Sequence, residues 1–299
     1  MIIALLGPTA TGKTALSVHI ANEFLGEIVS CDSVAVYKGF DIGSAKPTKE
    51  EREKALFHLV DFADPKTPYN VGEFQEDAHR VIDDIIKRGR LPILSGGSGL
   101  YAQAALEGID KIPPIPPEIR EKVNSLIEKD YQGAVEKFVE IDPVRAGECD
   151  LKNPRRVAKA LEIYYTTGKA PSVVYKENKK DERPPYMCFC LTAERDLLIE
   201  RINKRVDLMV KAGLFEEVRN LLNCGIPKDC QPMSSIGYKE CVEFFEGKYT
   251  KEEAIEKIKI ATRQFAKRQR TWFRGMKNVL WVDINDTNII KEKIKTLGE

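Results

Sequence analysis

Residues Gly7 to Thr14 read GPTATGKT, the G-x-x-x-x-G-K-T spacing of a phosphate-binding loop. In such a loop successive backbone N–H groups point inward at phosphate oxygens, and the glycines let the backbone come close. Lys13 sets a cation on the terminal phosphate, and Thr14 is placed to ligate Mg²⁺. The loop implies a phosphorylated ligand. It leaves open what that ligand is, and whether the bond broken lies between phosphates or beside them.

Asp32 follows the strand-like run of residues 27–31. A carboxylate at the carboxyl end of a strand in an open α/β sheet faces the ligand, where it can hold Mg²⁺ or take a proton from a nucleophile. The segment it opens, DSVAVYKGFDIGSAKP (32–47), has the hydroxyls, lysines and glycines of a loop wrapping a polar ligand. SGGSGLY (95–101) is a glycine-rich turn into a helix start, suited to an anion or a polar ligand edge. The run Leu91–Ser95 before it does not end in the aspartate that ordinary ATPases place there to hold Mg²⁺. Arg219, in GLFEEVRNL, would stabilise a developing phosphate charge if the fold brought it near, and sequence alone does not place it. Residues 257–277 hold eight basic residues and no acidic one. Arg263, Lys267, Arg270 and Arg274 fall on one helix face, whose lack of acidic partners favours a phosphate backbone. Ile258, Phe265 and Trp272, seven residues apart, are expected to pack on the core.

The elements that position these groups follow from periodicity. Ile2–Leu6 reads as a buried strand and Thr14–Phe24 as the helix after the loop, which is the context a phosphate loop requires. Strands at 27–31 and 91–95 bracket an amphipathic helix over Val71–Arg88, with Phe74, Ala78, Val81, Ile82 and Ile85 at helical spacing. Strands alternating with helices predict an α/β fold, a P-loop NTPase-like parallel sheet with helices on both faces. Between PPIPP (113–117) and DERPPY (181–186) the chain is helical and charged, with Asn153-Pro154 as a helix start. The expected division is a core of 1–112 and 184–299 with an inserted all-helical subdomain at 113–183, which carries a smaller basic face of Arg155, Arg156 and Lys159. Met187–Leu191 returns to the sheet, Thr192 is a candidate cap for the next helix, a long helix runs from Glu252 to Phe273, and Val279–Asp283 is the last strand.

Composition sets the outer bounds. The 299 residues suggest about two domains. Hydrophobic content of 42% supports a core, and 47 basic against 46 acidic residues leave no global field, so any nucleic-acid surface is local. No stretch approaches ~20 apolar residues, and the first apolar run is too short for a signal segment, which gives a cytoplasmic reading with no membrane. Seven cysteines without a C-x-x-C and three scattered histidines argue against a zinc site. Cys188 and Cys190 alternate along a strand and are expected to pack as small apolar residues. Nothing demands more than a monomer.

Taken together, GPTATGKT, DS…VYKGFDIGSAKP, SGGSGLY, NPRRVAKALE, GLFEEVRNL, SSIGYKE and TRQFAKRQRTWFR resemble the motifs of the tRNA dimethylallyltransferases (tRNA isopentenyltransferases), in family order and over nearly the whole chain. The resemblance implies transfer of a dimethylallyl group from dimethylallyl diphosphate to the exocyclic amine of the adenine 3′ of the anticodon (tRNA position 37), with Mg²⁺ accompanying the diphosphate. It implies that Gly7, Pro8, Thr9, Ala10, Thr11, Gly12, Lys13 and Thr14 hold the diphosphate, that Asp32 is the general base, and that Arg219, Lys13 and Mg²⁺ on Thr14 stabilise the departing pyrophosphate. The partner would be a tRNA anticodon stem-loop clamped by the swinging insert. The positions implied to contact it are Asp32, Ser33, Val34, Ala35, Ser98, Arg120, Arg155, Arg156, Val157, Ala158, Lys159, Ser234, Ser235, Ile236, Gly237, Tyr238, Lys239, Lys267, Arg268, Arg270 and Arg274. Ala35 stands where the family often has glutamine, so a base contact by that side chain is missing here, and Ser98 keeps the hydroxyl of the usual threonine. The chain lacks the C-terminal zinc finger frequent in eukaryotic relatives, which suits a bacterial-type member. The rival readings are a small-molecule kinase, an enzyme prenylating free adenine nucleotides, and a non-catalytic RNA-binding protein.

Overall fold

The structure is a computed structural model that describes residues 1–110, 112–178 and 183–296. Residues 181 and 182 of the proline-rich DERPPY edge lie outside the described residues. The chain forms two compact units, Met1–Glu107 with Arg183–Glu299, and Gly108–Glu182.

The first unit is built on one parallel sheet. Its strands are β1 (Ile2–Leu6), β2 (Gly26–Cys31), β3 (Phe57–His58), β4 (Leu91–Gly96), β5 (Tyr186–Thr192) and β6 (Val279–Asp283), in the order β3-β2-β4-β1-β5-β6. Both faces are covered, so the central strands are continuous apolar runs rather than alternating ones. Ile2, Ala4 and Leu6 of β1 join the core on one face with Cys188 and Cys190 of β5, while Ile3 and Leu5 join the other with Phe189 and Leu191. Burial pushes the Cys188 and Cys190 thiols up to about 12, so they remain protonated and pack as apolar groups.

Helices start where the sequence supplies caps. Asn70 and Glu73 form a capping box for Val71–Lys87, whose Phe74, Ala78, Ile82 and Ile85 are buried. Thr250 and Glu253 form another for the 25-residue helix Lys251–Gly275. Thr192 does not cap the helix Arg195–Lys211. It stays in register with Asp283 as the end of β5, its carbonyl accepts the Ile284 N–H, and Glu194 takes the cap position. Among the described residues no helix is long and apolar enough to cross a membrane.

The second unit is helical: Pro117–Lys129, Tyr131–Ile141, Pro143–Glu148, Pro154–Thr167 and Pro171–Glu177. Asn153 accepts the Arg155 N–H and Pro154 occupies the first helical position. Its core is Val123, Ala134, Phe138, Ala146, Val157, Ala160 and Leu161.

Candidate active site

In a parallel sheet the loops after the strands gather at its carboxyl edge, where ligands bind. Here the loops after β1, β2 and β4 line one cavity of about 540 Å³, together with parts of the helices Arg195–Lys211 and Lys251–Gly275 and the 234–237 segment. The loop after β1 contributes Thr9, Ala10, Gly12, Lys13 and Thr14. Gly12 takes a left-handed conformation (φ +83°) at the start of the helix Lys13–Glu23, which turns that helix's free N–H groups toward the cavity. Gly7, Pro8 and Thr11 do not line the cavity. The Pro8 carbonyl instead accepts the Thr11 hydroxyl (2.9 Å) and the Lys13 ammonium (2.6 Å), bracing the loop from inside.

Enclosure acts on the charges. Burial, reinforced by the nearby Arg205 guanidinium, lowers Lys13 to about 8. Burial also draws Arg205 below its ordinary range, while the Asp32 carboxylate pulls it back up. Lys13, Arg205 and Arg268 thus share the cavity with the carboxylates of Asp32 and Glu51, a cradle for a polyanion with an acid–base group beside it. The Cys31 thiol, behind Asp32, is pushed upward by burial and stays out of the chemistry.

Asp32 caps its own turn: Oδ1 accepts the amides of Val34 (2.9 Å) and Ala35 (3.1 Å), and Oδ2 carries neither bond. The turn is held from the loop after β4, where the Ser98 hydroxyl accepts the Ser33 amide (3.1 Å) and the Ser98 amide donates to the Cys31 carbonyl (3.2 Å). At the end of β4, Ser95 stands where an ATPase would carry its metal-holding aspartate, and it accepts the Ser17 hydroxyl (2.7 Å).

Gln269 connects these loops. It is 6% exposed, its Oε1 accepts the Thr9 amide (2.9 Å), and its Nε2 donates to the Gly97 carbonyl (2.9 Å). A Cβ at Gly97 would lie 2.2 Å from that nitrogen, so the glycine makes room for the clasp. Part of the remaining wall is apolar, made by Val34, Ala35, Val206, Met209, Ile236, Ile258 and Phe265, while Ser30, Ser44, Glu51, Ser234, Thr262 and Arg268 add polar and charged groups.

Several expected site residues sit elsewhere. Arg219 is exposed and outside the cavity, its guanidinium 5.1 Å over the Phe245 ring. The arginines that line the cavity are Arg205 and, at its rim, Arg268. Val157 and Tyr238 are fully buried, so their side chains are not available to a partner, and Ala158 is half-buried. Arg263 donates to Asn203 (2.8 Å) and pairs with Glu256 (3.1 Å), which removes it from the free basic face. Lys267, Arg268, Arg270 and Arg274 are exposed, with Arg268 at the cavity rim, and Lys239 is exposed beside the cavity-lining Ser234, Ser235, Ile236 and Gly237. In the helical unit Arg155 and Arg156 are exposed, Lys159 lies 3.5 Å from Glu162, and Arg120 lies 3.9 Å from the same carboxylate. Trp272 is 39% exposed rather than in the core, and Phe265 faces the cavity.

Arg205, Gln269 and Glu217 escape sequence reading. Arg205 lies in RINKRVDLM, a charge-rich run with no motif, and only its place beside the buried Ile202 and Val206 marks it.

Comparison with known proteins places the chain among a group of relatives. A family profile described as IPP transferase matches residues 35–276, and one described as isopentenyl transferase matches residues 1–60. The chain is 41% identical to the tRNA dimethylallyltransferase of Thermotoga maritima, over 99% of this chain and 98% of that one. It is 44% identical to that of Thermomicrobium roseum, over 95% and 86%. Among solved structures, the tRNA isopentenylpyrophosphate transferase of Bacillus halodurans aligns with a TM-score of 0.69 at 41% identity, covering 95% of this chain and 89% of that one. A eukaryotic dimethylallyltransferase described as acting on tRNA aligns with a TM-score of 0.81 at 28% identity, covering 95% and 73%.

Proposed function

This chain belongs to the IPP transferase family, the tRNA dimethylallyltransferases, and on that premise we propose that it transfers a dimethylallyl group from dimethylallyl diphosphate to the exocyclic amine of the adenine 3′ of a tRNA anticodon. The observation that carries this reading is an apolar patch of Val34, Val206, Met209, Ile236, Ile258 and Phe265 in the same cavity as the phosphate loop and Asp32. A phosphoryl transferase uses polar contacts around the bond it breaks. An alkyl transferase needs a dry apolar surface for the carbon that moves, because water would otherwise capture it.

The adenine amine attacks the allylic carbon, and the carbon–oxygen bond breaks with its electron pair leaving on pyrophosphate. Asp32 receives the amine proton. Lys13, Arg205 and the N–H groups of residues 12–14 meet the charge that grows on the leaving group, the kind of preorganised stabilisation that dominates such reactions. Arg205 takes the role that the family resemblance implies for Arg219, because Arg205 lines the cavity and Arg219 does not. The base must leave its stack to reach Asp32, and an unpaired loop base does so at least cost.

A divalent cation fits this donor set in one way. Among the described residues no cluster of three or more His, Cys, Asp or Glu could hold a metal, whereas the Thr14 hydroxyl lines the cavity. A cation here would take its remaining ligands from the diphosphate and water, the habit of Mg²⁺. Held by Thr14, it would supply further charge neutralisation on the pyrophosphate.

For RNA, Arg268 at the rim with Lys267, Arg270 and Arg274 supply a phosphate-binding face. Arg155, Arg156 and Lys159 give the helical unit a second grip. The test is incubation of the protein with Mg²⁺, labelled dimethylallyl diphosphate and unmodified tRNA, with ATP and nucleoside monophosphates in parallel. Label on the adenine beside the anticodon is expected. Phosphate transfer from ATP without prenyl transfer would overturn the reading.

A further inference from the structure

Glu217 plays no part in the mechanism above and does not line the cavity. It sits on the helix Leu214–Asn223, and its carboxylate collects four donors. Oε2 accepts the amides of Asp41 (3.2 Å) and Ile42 (2.8 Å). Oε1 accepts the Gly43 amide (3.3 Å) and the Tyr238 hydroxyl (2.6 Å). Three consecutive backbone N–H groups around one anion form a nest, here filled by the protein's own side chain. Bonds to an ionised acceptor are roughly twice as strong as neutral ones.

Tyr238 completes the joint. Its ring is fully buried, 4.8 Å from that of Phe40. It lies so close to the 43 position that a Cβ there would fall 2.4 Å from it, so only glycine fits. Burial and the Glu217 carboxylate both push the phenol upward, keeping it a hydrogen-bond donor. The far end of the same loop is fixed by Lys46, whose buried ammonium bonds the Tyr37 carbonyl (2.8 Å) and the carboxylates of Asp41 and Asp61 (2.7 Å to Asp61).

The other side of these two segments is cavity wall. Gly43, Ser44, Ala45 and Pro47 line it from one, and Ser234 to Gly237 from the other. We infer that Glu217 is a positioning residue for the half of the reaction that receives the base: by joining the 41–43 backbone to Tyr238 it fixes the spacing of two cavity walls that the phosphate loop does not make. The inference rests on the transfer reading above. It assigns GLFEEVRNL a reason to exist in Glu217 rather than Arg219, and links that motif to DIGSAKP and SSIGYKE.

No hydrogen bond from Glu217 or Tyr238 reaches residues 9–14 among the described residues. Diphosphate binding and base acceptance should therefore separate. The variants are Glu217→Gln and Tyr238→Phe, which keep side-chain size, Glu217→Ala, and the double variant Glu217→Ala/Tyr238→Phe. Each is confirmed folded by thermal melting, then read for inorganic pyrophosphate affinity by calorimetry and for kcat/KM with varied tRNA. Pyrophosphate affinity is expected to stay within about 2-fold of the parent, since its cradle is untouched. The kcat/KM for tRNA is expected to fall about 10- to 100-fold in Glu217→Ala, as for loss of hydrogen bonds to a charged group, and less in Glu217→Gln. The double variant should fall no further than Glu217→Ala, because both changes break one joint. Parallel loss of pyrophosphate affinity and transfer would overturn the inference in favour of a general structural role, and parental kcat/KM in Glu217→Ala would overturn it outright. A parent protein that transfers nothing to tRNA would instead refute the transfer reading, and the inference with it.

Discussion

Arg205→Ala and Arg219→Ala separate a reading of the structure from a reading of the motif. Arg205 lines the cavity and is already partly dehydrated, since burial draws its guanidinium below the ordinary range. At ~5 Å from a charge developing on the leaving group, with an effective dielectric of ~20, a unit cation contributes about 3 kcal/mol. That energy corresponds to roughly a few hundredfold in rate. It falls within the ~10²–10³ loss in kcat typical of removing one preorganised donor to a growing oxyanion. Arg219 is exposed, and its guanidinium sits over the Phe245 ring at 5.1 Å. An exposed interaction of that kind contributes ~0.5–1 kcal/mol to stability, so transfer by Arg219→Ala should stay within about 2-fold. The assay is single-turnover transfer to saturating tRNA, which reads the chemical step without product release. Arg205→Lys should recover part of the loss, as a point charge without the guanidinium fork. Equal losses in the two alanine variants, or an Arg205→Ala enzyme within about 3-fold of the parent, would refute the assignment.

Gln269→Ala frees the Thr9 amide and leaves the Gly97 carbonyl without its donor. Pyrophosphate affinity by calorimetry should fall about 10-fold, and Gly97→Ala should reproduce the loss by steric conflict with the same side chain. Lys13, lowered to about 8 by burial, should make pyrophosphate affinity fall as pH rises through that value, by up to about 10-fold per pH unit. The sign reverses for folding. The unfolded chain, with its lysine at the ordinary value near 10.5, holds the extra proton between the two values, so Lys13's contribution to stability rises with pH over that window. Lys13→Met should abolish both trends in titration calorimetry and pH-dependent unfolding. Replacing Arg270 and Arg274 with glutamate should weaken tRNA binding and reduce its salt slope by about 1 for each phosphate no longer neutralised. An unchanged slope across a salt series would rule that face out.

The core of the fold was legible because its signals are local. A buried strand, the glycine-rich loop and the following helix are contiguous in 2–24, and the strands at 187–191 and 279–283 announce themselves by apolar runs between turn residues. The phase of the long helix was not legible from a seven-residue repeat. A straight helix drifts ~20° per heptad, so Ile258, Phe265 and Trp272 rotate away from one another. The buried residues instead are Ala254, Ile258, Ala266, Gln269 and Phe273. Phe265 lines the cavity with Ile258, and Trp272 is 39% exposed although the buried Ala254 lies on the same face about five turns earlier, so what packs against each turn decides burial. Arg205 and Glu217 were hidden for a different reason. Each is a charged residue on a helix with other charged neighbours, and its role depends on a loop distant in sequence: Glu217 meets residues 41–43 across a separation of 174 to 176 positions. Asp32 was legible because a strand end and a turn mark it together, and its Oδ1 bonds to Val34 and Ala35 are the turn half of that signal.

The most direct measurement is the fate of the bridging oxygen of dimethylallyl diphosphate. With heavy oxygen placed between the allylic carbon and the first phosphorus, mass spectrometry of the products of a reaction with tRNA reports which bond was cut. Asp32→Asn serves as the control that should stop turnover. Heavy oxygen recovered wholly in pyrophosphate, with the five-carbon group on the tRNA adenine, is the expected result. Heavy oxygen retained on a five-carbon alcohol, with phosphate or pyrophosphate free of it, would mean that the loop serves phosphoryl chemistry and that Asp32, Lys13 and Arg205 do not together perform alkyl transfer.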